Sequence, residues 1–271
     1  MEHSFWDNFK DRKNIIIAHR GERSVRAENT LCAFESVLGK CDMVEFDVGF
    51  SKDGIPIIIH DDTLNRTSDI EEIEGSKTKF KVIDYTYDEL LKLDFSSWFI
   101  KDDPFKSIKN GLVSIDELNS LEIQRILTLE ELLIFLKKNK IYANVEIKDL
   151  KNTPFDNIAS KKVLEIIKKV GMENRVIISS FNHSYLKEIK TIDKNMEVAV
   201  LKDKSHPKDI VNYLRSIDSK TYHPHIGIVS EELVRELNDA GIYVNVYTVN
   251  DKTQINKLFS WGVKSVFTDF L

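Results

Sequence analysis

The sequence lacks long apolar segments. Its 271 residues include no run of about 20 consecutive apolar residues, so no transmembrane segment is predicted. Residues 1–13 are polar and mixed in charge, and they lack the apolar stretch and small-residue cleavage site of a signal peptide. We therefore expect a cytoplasmic protein.

Cysteine and excess positive charge are also scarce. The two cysteines, Cys32 and Cys41, are too few for a disulfide framework and lack the spacing of a zinc site. The net charge is −5, so no basic field favours nucleic acid as a partner. We expect a small-molecule substrate, and the oligomeric state, a homo-oligomer included, stays open.

Short runs of β-branched and apolar residues alternate with helical patterns along most of the chain. These runs predict eight strands, at residues 14–19, 43–47, 142–148, 175–179, 197–201, 221–225, 243–248 and 265–268. One of the helical patterns, at 129–138, follows the N-cap candidate Thr128. Eight such units in a chain of this length predict an α/β fold of the (β/α)₈ TIM barrel type. No glycine-rich loop follows the first strand, which disfavours a dinucleotide-binding sheet.

One segment, at about residues 63–124, breaks this alternation. It holds a charged patch at 69–74 and an aromatic group, formed by Phe95, Trp98, Phe99 and Phe105. A structureless loop of this length is improbable in a compact domain. We expect a small inserted subdomain packed over the barrel mouth, within a single domain that spans residues 1–271.

Two pairs of charged residues stand two positions apart on predicted strands. Side chains at positions i and i+2 share a face, so Glu45 lies beside Asp47 and Glu146 beside Lys148. Carboxylates on one inward face repel each other, and a hard divalent cation with oxygen ligands relieves that repulsion. Glu45, Asp47 and Glu146 are therefore candidate metal ligands. Lys148 is a candidate partner for an anion, and salt-bridged acid pairs are the alternative.

Histidines follow two apolar runs. His19 and Arg20 come after 15–18, and His60 comes after 57–59, so with the acid pair they predict a polar site at the C-terminal ends of parallel strands. Histidine serves as acid or base near neutral pH, and the planar guanidinium of Arg20 suits phosphate. These candidates favour metal-assisted phosphoester chemistry. Isomerase or lyase chemistry on a sugar phosphate, or structural histidines, are the alternatives.

Short strings along nearly the whole chain match the pattern of a known enzyme family. In chain order they are Ala18-His19-Arg20-Gly21, Glu28-Asn29-Thr30, Glu45-x-Asp47-Val48, Asp53-Gly54, His60-Asp61, Leu64-x-Arg66-Thr67, Thr128-Leu129-x-Glu131, Val145-Glu146-Ile147-Lys148, Ser179-Ser180-Phe181, Thr248-Val249-Asn250 and Thr268-Asp269. Their order and spacing resemble the glycerophosphodiester phosphodiesterase family. The resemblance implies a TIM barrel with an inserted cap subdomain after the second strand. It also implies hydrolysis of glycerophosphodiesters to glycerol 3-phosphate and an alcohol, with one divalent cation, Mg²⁺ or Ca²⁺.

The resemblance also implies a role for individual residues. The implied metal ligands are Glu45, Asp47 and Glu146. The implied acid and base are His19 and His60, in an order that the sequence leaves open. The implied phosphate-binding residues are Arg20 and Lys148, and Phe181 would pack against the glycerol moiety. Apart from the resemblance, Asp269 either touches the site or caps the last barrel strand, and we favour the structural role.

Three positions depart from the family pattern. Ala27 and Leu127 stand where proline is usual, and Tyr247 stands where tryptophan is usual. Tyr247 keeps an aromatic wall for the substrate but adds a hydroxyl, so the preferred alcohol group stays open. One alternative is a lysophospholipase D or sphingomyelinase D-like enzyme, with the aromatic group of the insertion as an apolar entry path. Another is a catalytically inactive barrel that binds phosphorylated ligands.

Overall fold

Eight parallel strands close into a barrel. The computed structural model describes residues 4–76 and 79–271, so the start of the N-terminal segment and two residues of the insertion lie outside the described residues. In barrel order the strands are β1 (Ile15–His19), β2 (Met43–Phe50), β4 (Tyr142–Ile147), β5 (Val176–Ser180), β6 (Glu197–Lys202), β7 (Thr221–Pro224), β8 (Tyr243–Val246) and β9 (Ser265–Thr268). Strand β1 pairs with β2 on one side and with β9 on the other, which closes the sheet. Every predicted strand overlaps one of these, so the TIM barrel prediction is confirmed.

The strand before His60 is not part of the parallel barrel. This strand, β3 (Pro56–Ile58), pairs antiparallel with β2, and Val48 lies opposite Ile58. Residues 51–55 link the two strands, and a link this short cannot form the crossover that parallel neighbours require. The prediction that the apolar run before His60 is a parallel strand ending at the site is therefore wrong. Instead the hairpin turns back, and Ile59 N donates a hydrogen bond to Asp47 O at 3.0 Å.

Helices pack around the outside of the barrel. Those that follow its strands are α1 (Leu31–Glu35), α6 (Leu129–Lys138), α7 (Ala159–Val170), α8 (His183–Ile192), α9 (Ile210–Arg215), α10 (Glu231–Asp239) and α11 (Lys252–Ser260). Thr128 caps α6 as predicted, because its side chain accepts a hydrogen bond from Glu131 N. The apolar helix faces bury Leu132 and Leu164, among others, against the outside of the sheet in one large core. Within residues 4–76 and 79–271, no helix has the length and apolar character needed to cross a membrane.

The predicted insertion lies between β3 and α6 and forms short helices. They are α2 (Ile70–Glu74), a 3₁₀ turn (Val82–Asp84), α3 (Tyr87–Leu90), α4 (Ser97–Asp102) and α5 (Ile115–Asn119). Phe95, Trp98 and Phe99 are buried in the cores of the insertion, so they do not form an open apolar path. Phe105 is only half-buried, and its ring centroid lies 5.6 Å from that of Phe270 near the end of the chain. The insertion therefore contacts the end of the last barrel strand.

The N-terminal segment closes the opposite end of the barrel. It forms a 3₁₀ helix (Phe5–Phe9), from which Trp6 Nε1 donates a hydrogen bond to Thr221 Oγ1 at 2.7 Å. The Phe9 ring packs against Tyr142 at 4.6 Å between centroids. Thr221 and Tyr142 begin their strands, so this plug occupies the N-terminal end. The other end, where the strands finish, is left for the predicted site residues.

Candidate active site

Three carboxylates meet inside the C-terminal mouth of the barrel. Glu45 and Asp47 lie on β2, and Asp47 pairs in register with Glu146 on β4. The intervening Phe46 belongs to the outer core, so the strand alternation directs both acids of β2 inward. One carboxylate oxygen of each residue lies within 4.8 Å of the others, and all three residues are buried. This triad, Glu45, Asp47 and Glu146, offers the oxygen ligands that a hard divalent cation prefers.

Two carboxylates of the triad, Glu45 and Asp47, differ in their tendency to ionise. Burial, together with Asp47 and Glu146, raises the pKa of Glu45 well above its usual value. Burial acts in the same direction on Asp47, but Arg20 and Lys148 hold the pKa of that carboxyl below its usual range. A divalent cation between the three groups would offset the burial and the repulsion that raise the pKa of Glu45. The residues therefore fit the metal that the resemblance implies.

Two cationic side chains of the protein face the triad. Lys148 Nζ lies 2.8 Å from Glu146 Oε1 and 3.3 Å from Asp47 Oδ1. Arg20 Nε lies 3.1 Å from Asp47 Oδ2, and the Arg20 backbone N donates a hydrogen bond to Glu45 Oε2 at 3.0 Å. Burial alone would lower the pKa of Lys148, but the neighbouring carboxylates raise it. Both side chains therefore stay charged at the mouth, where charge-assisted contacts suit an anion such as phosphate.

His19, at the end of β1, contacts a carboxylate on each side of its ring. Its Nδ1 lies 2.7 Å from Asp269 Oδ1, and its Nε2 lies 3.8 Å from Glu45 Oε2. Asn250 Nδ2 donates a hydrogen bond to Asp269 Oδ2 at 2.7 Å. Burial lowers the pKa of His19, although the hydrogen bond to Asp269 acts in the opposite direction. Asp269 thus orients a predicted acid–base residue, so the structure supports contact with the site, the alternative that the sequence analysis did not favour.

His60 is held by the residue that follows it. Its Nδ1 lies 2.6 Å from Asp61 Oδ1, and Asp61 Oδ2 accepts a hydrogen bond from Arg66 Nε at 2.7 Å. Burial alone would raise the pKa of Asp61, but the hydrogen bonds from His60 and Arg66 hold it below its usual range. The partly exposed His60 lines a groove of about 770 Å³ together with Glu146 and Lys148. The hairpin therefore delivers the second histidine to the same mouth.

One aromatic ring lines the groove, and a second packs against it. Phe181 follows β5, lines the groove and is 40% exposed, so its ring is free to contact a bound molecule. The Tyr247 ring lies 6.2 Å from that of Phe181 in an edge-to-face arrangement. The Tyr247 hydroxyl donates a hydrogen bond to Lys202 O at 3.0 Å. Because this hydroxyl has an internal partner, Tyr247 presents mainly its ring to the site.

A cluster of ion pairs beside the site was missed from the sequence. The buried Glu28 binds three arginines, which are Arg20, Arg23 and Arg66. Glu28 and Arg66 both belong to strings that carry the family resemblance, but 38 positions separate them and no spacing rule connects them. Next to Glu28, Asn29 Nδ2 donates a hydrogen bond to Asp47 Oδ2 at 3.0 Å. The available signal was the alternation of arginines with glutamates in the loop after the first strand, which ends in the string Glu28-Asn29-Thr30.

Known proteins resemble this chain in sequence over nearly its whole length. The model of the glycerophosphoryl diester phosphodiesterase family matches residues 19–271. A glycerophosphodiester phosphodiesterase of Bacillus altitudinis is 34% identical, and the match covers 94% of this chain and 94% of the relative. One from Caldanaerobacter subterraneus subsp. tengcongensis is 30% identical, and the match covers 95% of this chain and 94% of the relative.

Solved structures resemble it in fold. A phosphodiesterase from Oleispira antarctica, in complex with the product sn-glycerol-3-phosphate, superposes with a TM-score of 0.78 at 25% identity, covering 99% of this chain and 96% of that one. A glycerophosphodiester phosphodiesterase from Thermotoga maritima gives a TM-score of 0.64 at 25% identity, covering 94% of each chain. The chain therefore belongs to the glycerophosphoryl diester phosphodiesterase family.

Proposed function

We propose that the chain hydrolyses glycerophosphodiesters to glycerol 3-phosphate and an alcohol in the groove at the barrel mouth. The observation that carries this proposal is the meeting of the acidic triad with Lys148 and His60 at one groove. The product bound by the relative from Oleispira antarctica supports the choice of glycerol 3-phosphate.

The triad would hold one divalent cation, Mg²⁺ or Ca²⁺. When bound, such a cation polarises phosphoryl oxygens and lowers the pKa of an attacking hydroxyl or water. The protein contributes by fixing its ligands beforehand: Asn29 holds one oxygen of Asp47, and the Arg20 backbone N holds one oxygen of Glu45. Such outer contacts orient ligands and restrict them to one geometry.

The cationic side chains would bind the phosphate. Arg20 supplies a planar fork of donors and Lys148 a compact charge, both beside the triad. Phe181 would pack against the glycerol moiety, and Tyr247 would form part of the same wall. The substrate phosphorus would then lie between the triad and the two histidines.

The histidines would move the protons. One removes a proton from the attacking oxygen, and the other protonates the departing alkoxide. Each Nδ1 already faces a carboxylate, Asp269 for His19 and Asp61 for His60, so Nε2 is the nitrogen left for the reaction.

A lipid-directed activity is disfavoured by one observation. The apolar entry path expected for lysophospholipase D chemistry used four aromatic residues of the insertion, and three of them are buried. A catalytically inactive barrel would have no need for two histidines that are each oriented by a carboxylate. A single domain and a cytoplasmic location stay predictions. The oligomeric state, a homo-oligomer included, stays open.

The test is turnover of glycerophosphocholine by the purified chain. We expect turnover that a chelator abolishes and that Mg²⁺ or Ca²⁺ restores, with lysophosphatidylcholine a poorer substrate. Glu146→Gln should lose activity, whereas Glu130→Gln, on the outer helix α6, should keep it. Full activity in excess chelator would end the proposal, and a preference for lysophosphatidylcholine would favour the lipid-directed alternative.

A further inference from the structure

Glu28 lies at the centre of a buried ion-pair cluster beside the site. Its side chain is 2% exposed, and it lies 2.8, 2.6 and 2.7 Å from Arg20, Arg23 and Arg66, respectively. Burial alone would raise the pKa of Glu28, but the three arginines hold it at about 2. Glu28 therefore carries a fixed negative charge at neutral pH. Its ion-pair partners are the three arginine side chains.

Arg66 connects Glu28 to His60. Its guanidinium contacts both oxygens of Glu28, at 2.7 and 3.1 Å, and both oxygens of Asp61, at 2.7 and 3.0 Å. Asp61 Oδ1 in turn lies 2.6 Å from His60 Nδ1. Two-point contacts on both sides of a planar group fix its direction as well as its distance.

Glu28 is far less exposed than the two residues that connect it to the histidine. Glu28 is 2% exposed, whereas Arg66 is 39% exposed and would have many rotamers without a partner. Asp61 is 21% exposed, and its two-point contact depends on the orientation of Arg66. The buried Glu28 is thus the fixed end of a chain of contacts that ends at the ring of His60.

We propose that Glu28 is a positioning residue for proton transfer at His60, acting through Arg66 and Asp61. This inference rests on the proposed function, because it concerns the same reaction. Glu28 neither contacts the substrate nor exchanges a proton in it. Its charge keeps Arg66 in place, Arg66 keeps Asp61 directed at Nδ1 of His60, and Nε2 is left facing the substrate.

Kinetics test this chain of contacts. Glu28→Gln keeps the size of the side chain but removes its charge, and we expect kcat on glycerophosphocholine with saturating Mg²⁺ to fall about 10-fold or more. Arg66→Gln, at a position that is 39% exposed, should lower kcat by a similar factor. In a His60→Ala background, Glu28→Gln should change the residual kcat by less than about twofold, because the group that it positions is absent. An effect through Arg20 would appear in KM instead.

A spectroscopic measurement tests the same point without turnover. The ¹⁵N NMR signals of the His60 ring, assigned by their loss in His60→Ala, report which nitrogen carries the proton. We expect one Nδ1-protonated form in the wild type and a mixture of forms in Glu28→Gln and in Arg66→Gln. Because this measurement needs no substrate, it remains decisive if the proposed function fails.

Glu22→Gln is the matched control. Glu22 is a buried glutamate of the same loop, and it forms an ion pair with Lys40 at 2.7 Å. Its replacement should leave kcat and the His60 signals unchanged, even if the melting temperature falls. The proposal is overturned if Glu28→Gln keeps the wild-type kcat and His60 signals. It is also overturned if Glu28→Gln lowers kcat by the same factor with and without His60.

Discussion

Asp269 Oδ1 lies 2.7 Å from His19 Nδ1, although 250 positions separate the two residues. Strands β9 and β1 are neighbours in the barrel, so closure of the sheet brings the end of the chain to the end of the first strand. The contact makes Nδ1 the protonated nitrogen of a neutral His19 and leaves Nε2 toward the triad. The orientation of this histidine therefore depends on barrel closure.

Replacing Asp269 should cost activity more than stability. In Asp269→Asn the amide accepts a weaker hydrogen bond from Nδ1–H than a carboxylate does. The His19 ring therefore loses its preferred tautomer. We expect kcat to fall by as much as the rate factor that positioned proton transfer contributes, which is roughly 10²–10⁴-fold. The measurement is kcat on glycerophosphocholine with the melting temperature recorded beside it. Asp251→Asn, which makes the same change of side chain at the exposed N-cap of α11, is the control and should keep kcat. Wild-type kcat in Asp269→Asn would show that the contact has no catalytic role.

The two histidines should respond differently to the leaving group. His19→Ala and His60→Ala should each lower turnover of glycerophosphocholine by roughly 10²–10⁴-fold. An alkoxide leaves poorly without a proton, so loss of the general acid should matter far less for an activated aryl ester of glycerophosphate. One variant should therefore recover in part on the aryl ester, and the other should not. If either variant turns over glycerophosphocholine at the wild-type rate, paired acid–base catalysis is excluded.

Metal binding should release a proton from the triad. The pKa of Glu45 is raised by burial and by its acidic neighbours, so the metal-free protein keeps this proton at pH values where free glutamate has lost it. A cation must displace the proton, and its affinity should therefore rise with pH. Isothermal titration calorimetry with Mg²⁺ or Ca²⁺, in two buffers of different ionisation enthalpy, measures the release. Equal apparent enthalpies in the two buffers would contradict it, and Glu45→Gln should abolish the difference.

Phe181 should contribute to substrate binding. Its ring is 40% exposed in the groove and lies outside the buried core clusters, so Phe181→Ala should lower the melting temperature much less than truncation of a core residue would. Loss of the ring contact should raise KM for glycerophosphocholine by up to about tenfold while kcat changes less. Steady-state kinetics measure both values. A normal KM would mean that the ring does not contact the substrate.

The regular parts of the fold could be predicted because they depend on local patterns. Strand β2 is β-branched and apolar apart from its two acids, and the i and i+2 rule was enough to place Glu45 and Asp47 on one inward face. The direction of the strand before His60 was predicted wrongly, because an apolar run does not show whether a strand is parallel or antiparallel to its neighbour. Only the short link from β2 excludes a parallel neighbour.

Contacts between distant segments were beyond reach for a different reason. The Glu28–Arg66 pair joins a barrel loop to the insertion, and Asp269 meets His19 only through barrel closure. Neither pair follows a spacing rule along the chain. Burial of the insertion's aromatic residues could not be predicted either, because composition does not distinguish a small core from an exposed apolar surface.

³¹P NMR of the products shows whether this site cleaves glycerophosphodiesters to glycerol 3-phosphate. Glycerophosphocholine incubated with the wild-type chain and Mg²⁺ or Ca²⁺ should yield sn-glycerol 3-phosphate as a phosphomonoester signal, and ¹H NMR of the same sample should show free choline in equal amount. Glu146→Gln and the chelated wild type should yield neither product. Formation of phosphocholine and glycerol, or an unchanged diester after prolonged incubation with either metal, would contradict the account.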